Sequence, residues 1–331
     1  MPDLQLSIAL EVNDITRPIY DEAVKPEGID LITSDVHSGE LIWRQVRFQE
    51  FDIAQMSLPS LYIMADRGDS PYVALPIFPR RLFWHTRIMV REDSSLSHPH
   101  DLRGKNIGVP EYIMTGAVWM RGIFGDEFSI APEELNWHQE RPEERNIGDA
   151  FGYKPPPEVN VHRIPPENSI IEMLLAGDLD AACILIQGTT LLDRSRPELQ
   201  HSTGVRPLFP DPTAECLRFF RKTGLYPINH CVAVRRSMLE RHPWVALNLY
   251  HAFLEAKESV LAHTRDLIDP YFRLGILPPE GRDTLDADPF PYGFKHNRVT
   301  LDAMARYCHD QNLTSRRLEL EEVYAANTLN L

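Results

Sequence analysis

The chain has 331 residues, 43% hydrophobic and 25% charged, which gives room for two ordinary globular cores and excludes a disordered or fibrous class. With 34 Lys and Arg against 48 Asp and Glu the formal charge is −14, which excludes the broad basic face of a nucleic-acid-binding protein but not a few arginines gathered in one cleft. No run reaches the roughly 18 apolar residues that a membrane span needs.

The first segment, Leu4–Leu10, alternates like a strand. Met1-Pro2-Asp3 leads straight into it, without the basic and apolar regions of a secretory leader, so a cytoplasmic protein is expected. Residues 38–50 fit a helix whose apolar share includes Leu41, Val46 and Phe48. Phe51–Met56 reads as a strand, and Ser57-Leu58-Pro59-Ser60 opens another helix. Tyr72–Ile77 and Ile88–Val90 are two further strands. Strands alternating with helices predict a largely parallel sheet.

A second α/β block begins at Asp101-Leu102-Arg103-Gly104-Lys105. It contains predicted strands at Asn106–Val109, Leu135–His138, Val159–Ile164 and Ala181–Ile186, with helices starting near Tyr112–Thr115 and spanning about 168–176. Residues 140–157, rich in charge and proline, read as a surface insertion or lid. His230–Val234 is a strand. Pro243 then stands in the first turn of a long helix with Leu249, Phe253, Ala256 and Val260 on one face. The four cysteines (Cys183, Cys216, Cys231 and Cys308) form no CxxC and suit a reducing compartment as small buried residues.

The chain thus leaves the first block near residue 86 and returns near 230. Lobe one is expected to comprise 1–86 plus 231–331, and lobe two 87–230, with a cleft between them. Ligands of open α/β sheets bind beyond the carboxyl ends of strands, near helix N-termini, so the loops there hold the candidate residues.

Several segments carry a family resemblance. Ile15-Thr16-Arg17-Pro18, Glu50-Phe51-Asp52-Ile53-Ala54 with Ser57-Leu58-Pro59-Ser60, and Tyr72-Val73-Ala74-Leu75-Pro76-Ile77-Phe78-Pro79 resemble the 4,5-dihydroxyphthalate decarboxylase family. So do Phe83-Trp84-His85-Thr86, Gly108-Val109-Pro110-Glu111-Tyr112 and Arg241-His242-Pro243-Trp244-Val245. The resemblance runs along nearly the whole chain and implies a two-lobed α/β fold of the type II periplasmic-binding-protein kind. It also implies loss of one carboxylate from a dihydroxylated phthalate, giving a protocatechuate-like product.

That chemistry needs a proton donor to the ring carbon, a base near the phenols and cationic or dipolar anchors for carboxylates; it requires no redox cofactor. His85, beside the first crossing, and His230, on the return, are the expected proton carriers, facing one another across the cleft. Each also reads as a structural histidine. Glu111 is either a base toward the phenol or a helix cap. Arg17, in the loop after the first strand, is placed to grip a carboxylate bidentately or to stand in solvent. Arg81 and Arg87 are further cationic candidates. Ser57, Ser60, Tyr112 and Thr115 lie at helix starts, and Gln187 and Asn229 are candidate cleft amides. No cofactor is expected, although a divalent metal assembled from His85, His230 and Glu111 stays open, because ligands far apart in sequence leave no motif. His98-Pro99-His100 reads as surface. The expected partner is a small aromatic carboxylate, not nucleic acid or membrane, and homo-oligomerisation stays open. The alternative is a solute-binding protein that captures an aromatic or pyrimidine-like ligand for an importer, on the same fold.

Overall fold

The computed structural model describes residues 3–183, 191–194, 204–279, 281–282, 288 and 290–331. Two sheets organise them. The first is built from β1 (Leu4–Leu10), β2 (Ile29–Asp35), β3 (Ile53–Ser57), β4 (Tyr72–Ala74), β5 (Arg80–Arg81) and β12 (Ile228–Arg235), in the order β2-β1-β3-β12-β4 with β5 also paired to β12. The second holds β6 (Ile88–Arg91), β7 (Asn106–Val109), β8 (Asn136–Gln139), β9 (Asn160–Arg163), β10 (Ala181–Cys183) and β11 (Val205–Pro207), in the order β11-β6-β10-β7-β8-β9.

β1 runs parallel to β2 and β3, whereas β12 runs antiparallel to β3, β4 and β5. In the second sheet β7, β8, β9 and β10 are parallel, and β6 is antiparallel to β10 and β11. The chain crosses to the second sheet between Arg81 and Ile88 and returns between Pro207 and Ile228. The expected return at 230/231 therefore falls inside β12, which pairs with β3 from His230 to Val234. β12 is buried along nearly its whole length, as a strand with neighbours on both edges should be.

The helices are α1 (Arg17–Tyr20), α2 (Ser38–Phe48), α3 (Leu58–Arg67), α4 (Thr115–Phe128), α5 (Ile147–Ala150), α6 (Ile170–Ala176), α7 (Pro212–Thr223), α8 (Arg236–Arg241), α9 (Val245–Arg273) and α10 (Phe294–Asp310). Ser57 caps α3 as its sequence suggests, its Oγ accepting from the Ser60 N–H at 3.3 Å. Trp244 is the N-cap of α9, so Pro243 stands just before the helix and not in its first turn. Leu249, Phe253 and Ala256 face the core, and Val260, next on that face, is only half-buried.

The lobes are sewn together by helices. α4 of the second lobe sends the Trp119 indole N–H to the Ile228 carbonyl at 2.8 Å, and α10 lies against both α3 and α4. Gly122 is required there: a Cβ on it would stand 2.4 Å from the Tyr307 ring.

The 140–157 segment is not the surface insertion its composition suggests. Glu140, Arg141, Asn146, Ile147, Gly148 and Phe151 are buried, and α5 packs on α2 of the first lobe. Arg141 donates to both oxygens of Asp193 (2.9 and 3.2 Å) and to Glu111 Oε2 (3.1 Å), while Glu111 Oε1 accepts from the Gly148 N–H at 2.8 Å. The charges and prolines of this stretch serve a buried network and tight turns, which composition alone cannot distinguish from an exposed loop. Arg141 Nη2 lies 2.7 Å from where a Cβ on Gly39 would stand, so the start of α2 accepts the guanidinium only because that residue is glycine. The Trp43 indole N–H also reaches across to the Glu144 carbonyl at 3.3 Å.

Removing one partner of a buried ion network leaves uncompensated charge behind. Arg141→Ala is expected to cost about 3–5 kcal/mol of stability, read by urea unfolding. A loss under about 1 kcal/mol would mean that the network is wet and worth no more than a surface pair.

Candidate active site

The carboxyl ends of β1 and β3 meet the amino end of β12, and a chain of polar groups links them. Glu11 follows β1; its N–H donates to Gln55 Oε1 at 3.2 Å, and its Oε2 accepts from Arg80 Nη1 (2.7 Å) and from the Ser38 N–H at the start of α2 (3.3 Å). Gln55 Nε2 lies 2.6 Å from His230 Nδ1, and the Asn229 amide lies 3.1 Å from His230 Nε2. His37, the N-cap of α2, completes the group electrostatically with Glu11 and His230.

These bonds fix the state of His230. Because Gln55 Oε1 is committed to the Glu11 N–H, its Nε2 must be the donor to Nδ1, and Nδ1 must therefore be the acceptor. The neutral ring then carries its proton on Nε2. Asn229 Oδ1 is buried without a partner, so the amide orientation that turns Oδ1 toward Nε2 satisfies both atoms. Burial, reinforced by Arg80 and His37, pushes His230 down to about 3 against the opposing pull of Glu11. Burial alone would raise the Glu11 carboxyl, but Arg80, Ser38, His37 and His230 together hold it below its ordinary value. A neutral imidazole thus stands beside an ionised carboxylate and a guanidinium.

The expected residues divide. Ser57, Ser60, Thr115, Asn229 and His230 come together: His230 pairs with Ser57 in the β3–β12 register, and Thr115 Oγ1 donates to Ser57 Oγ at 3.0 Å, joining the start of α4 to that of α3 across the lobes. The others are placed elsewhere. His85 does not face His230; it is fully buried among Phe83, Phe209 and Phe219, with Nε2 3.3 Å from Glu215 Oε1, an ion-pair distance without an aligned hydrogen bond. It lies in a short 3-10 turn, Trp84–Thr86, that packs its ring into the core. Glu111 has both oxygens occupied by Arg141 and Gly148, so no oxygen is free to act as a base. Arg81 is buried, donating to the Tyr226 and Pro291 carbonyls and to Asn297 Oδ1, and its burial pushes it down to about 10. Tyr112 lies in the core under the Arg121 guanidinium, 3.7 Å from its ring centre. Arg17 and Arg87 are exposed. Gln187 lies outside the described residues. The trio His85, His230 and Glu111 does not assemble, and among the described residues no group of three His, Cys, Asp or Glu side chains is disposed to hold a metal ion.

Glu11, His37, Gln55 and Arg80 escaped the sequence reading. Gln55 carried a signal: it is the single long polar side chain inside the buried strand Ile53–Ser57, a position that demands hydrogen-bond partners. Glu11 and Arg80 became neighbours only when β5 paired with β12. They also line a groove of about 580 Å³, walled by Val12, Ile15, Val260, Leu261 and Phe290, a volume suited to a small organic ligand.

Since His230 is held far below its ordinary value of 6.5, the unfolded chain binds a proton that the folded chain refuses between about pH 6.5 and about pH 3. Stability contributed by this site is complete above pH 6.5 and is lost as pH falls through that window. The loss from one such group proceeds at up to about 1.4 kcal/mol per pH unit. Unfolding free energies measured from pH 7 to 4 should show this slope, and His230→Gln should flatten it; an unchanged slope would place the proton uptake elsewhere.

No protein-family profile matches the chain. Among solved structures it is similar to the periplasmic aliphatic sulphonate-binding protein SsuA of Escherichia coli, with a TM-score of 0.58 at 12% identity over 99% of both chains. It is also similar to a variant of the desulfurization enzyme DSZB in complex with biphenyl-2-sulfinic acid, with a TM-score of 0.52 at 18% identity, covering 100% of this chain and 99% of that one. At those identities the likeness shows the two-lobed fold and nothing of the chemistry. Sequence reaches further. A 4,5-dihydroxyphthalate decarboxylase of Pseudomonas putida is 35% identical over 181 residues, 55% of this chain and 70% of that protein. One from Comamonas testosteroni is 31% identical over 327 residues, 98% of this chain and 97% of its own length. With a relation of that extent running through both lobes, the chain belongs to the 4,5-dihydroxyphthalate decarboxylase family.

Proposed function

We propose that this carboxy-lyase removes one carboxylate from a dihydroxylated aromatic diacid of the 4,5-dihydroxyphthalate kind, releasing CO₂ and a protocatechuate-like acid. The observation that carries this reading is the polar chain Arg80–Glu11–Gln55–His230, buried at its Gln55–His230 end, at the carboxyl end of the first sheet, in a chain related along its length to such a decarboxylase.

Decarboxylation of an aromatic acid places an electron pair on the ring carbon that loses CO₂. A proton delivered to that carbon takes up the pair, and a phenolic oxygen conjugated with it stabilises the protonated ring. Arg80, half-exposed and steered by Glu11, is the anchor for a substrate carboxylate. His230, neutral and bonded at both ring nitrogens, holds the Gln55 and Asn229 amides in place without adding charge. The starts of α2, α3 and α4 approach the same region, so their N–H groups add positive potential for a dianionic ligand. Four unpaired cysteines, three of them buried, accord with a proposed cytoplasmic setting. Among the described residues no helix is long and apolar enough to cross a membrane.

The purified protein, incubated with 4,5-dihydroxyphthalate and no added cofactor, should release one CO₂ per substrate consumed, with a parallel chelator-treated sample testing dependence on metal. Tight binding without CO₂ would defeat the decarboxylase reading and leave a binding protein.

Two variants separate the site from its surroundings. Arg80→Ala should raise KM by about 10–100-fold, the worth of a lost charge-assisted hydrogen bond, in steady-state kinetics. His85→Ala should leave kcat within about threefold of wild type while lowering thermal stability, because an enclosed ring removed from an aromatic cluster leaves a cavity; a collapse of kcat in well-folded His85→Ala would return that histidine to the chemistry.

A further inference from the structure

The proposed reaction needs a proton donor, and His230 is unsuited to the task. Its Nδ1 accepts from Gln55, its Nε2 faces Asn229, and burial leaves the ring uncharged near neutrality; a neutral imidazole is a poor acid. The same end of the first sheet holds a second histidine. His37 is half-buried at the N-cap of α2, yet its side chain caps none of that helix's N–H groups. Its Nδ1 is buried without a hydrogen-bond partner. His37 Nδ1 and Cε1 each lie 3.5 Å from the point where a Cβ on Gly39 would stand, the same point that Arg141 of the second lobe approaches to 2.7 Å. The ring therefore stands in the seam between the lobes.

The charged and titratable groups around it come from each element packed there. Glu11 arrives from the loop after β1, His230 from β12 and Arg141 from the second lobe, with Arg80 of β5 bonded to Glu11 and Glu40 on the same helix. Glu11 is a carboxylate within electrostatic reach of the ring, while Arg141 already has Glu111 and Asp193 as partners. A buried ring nitrogen with no partner is costly, and such an atom at a cleft is satisfied when a ligand supplies what is missing.

Resting on the decarboxylase reading, we infer that His37 is the catalytic residue that delivers the proton to the ring carbon bearing the departing carboxylate. The imidazolium N–H breaks as a C–H bond forms. The carbon–carbon bond to the carboxylate then breaks, its electron pair returns to the ring, and CO₂ leaves. His37, now neutral, regains a proton from solvent, so that one proton enters for each CO₂ released and no oxidant or reductant takes part.

The test uses the full chain, with His37→Ala and His37→Gln both checked for fold by circular dichroism. Wild-type kcat should fall on the alkaline side as the acid loses its proton. Both variants should lose about 100-fold or more in kcat, keep KM within about threefold, and lack the alkaline fall in their residual activity. A kcat within about threefold of wild type, a defect confined to KM, or a surviving alkaline limb would each overturn the assignment. A second readout needs no turnover: adding protocatechuate should move the imidazole Cε1–H resonance of His37 and leave that of His85 in place, and an unmoved His37 signal overturns the proposal. Failure of the wild-type protein to release CO₂ would instead sink the decarboxylase reading itself, and this assignment with it.

Discussion

Gln55 is the side chain on which the arrangement of the site depends. It sits in a strand buried on both faces, where an amide must find partners for its oxygen and its nitrogen or lose several kcal/mol. It finds them in two different elements: the backbone N–H that opens the loop after β1, and the ring of His230 on β12. One amide thus fixes where Glu11 leaves the sheet, which nitrogen of His230 carries the proton, and, through Glu11, where Arg80 points. If it were apolar, the Glu11 N–H and His230 Nδ1 would each lose their partner.

A buried polar chain of this kind is stable only if each link is satisfied. Glu11 is held by Arg80 and the Ser38 N–H, so its charge survives partial burial. His230 solves the same problem in the opposite way, by staying neutral. The outcome is a carboxylate and an imidazole kept in different charge states at one end of the sheet, the Gln55 amide bonding the Glu11 backbone and the His230 ring. His37, placed at the edge of the chain and lacking a partner for Nδ1, is the member whose bonding a ligand would complete.

The second lobe contributes a lock. Arg141, compensated by Glu111 and Asp193, presses against Gly39 beside His37, and Thr115 bonds Ser57 where α3 and α4 begin. Residues of the 140–157 segment that read as a loose insertion are the ones that seat one lobe on the other. The fold is shared with binding proteins and with an enzyme, so the chemistry rests on side chains at the seam rather than on the architecture.

Local pattern was enough for most of the strands and helices, the two-lobed class and the family, but not for β2, β5, β11 or α7. Apolar alternation, helix caps such as Ser57 and the segments around Gly108–Tyr112 and Arg241–Val245 are properties of neighbouring residues, and they survive folding unchanged. That Asn229, Ser57 and His230 lie near one another was also legible, because strand ends and helix starts of an α/β sheet meet at one end. The partners were not. Whether His85 or His37 stands near His230 depends on how β12 enters antiparallel between β3 and β4 and on which way the chain turns after β5, both set by packing between segments more than a hundred residues apart. Burial then decided what composition could not: it enclosed His85 in aromatic rings, spent Glu111 on Arg141, and took the charge from His230, because desolvation and pairing act on three-dimensional neighbours and leave no trace in the order of the residues.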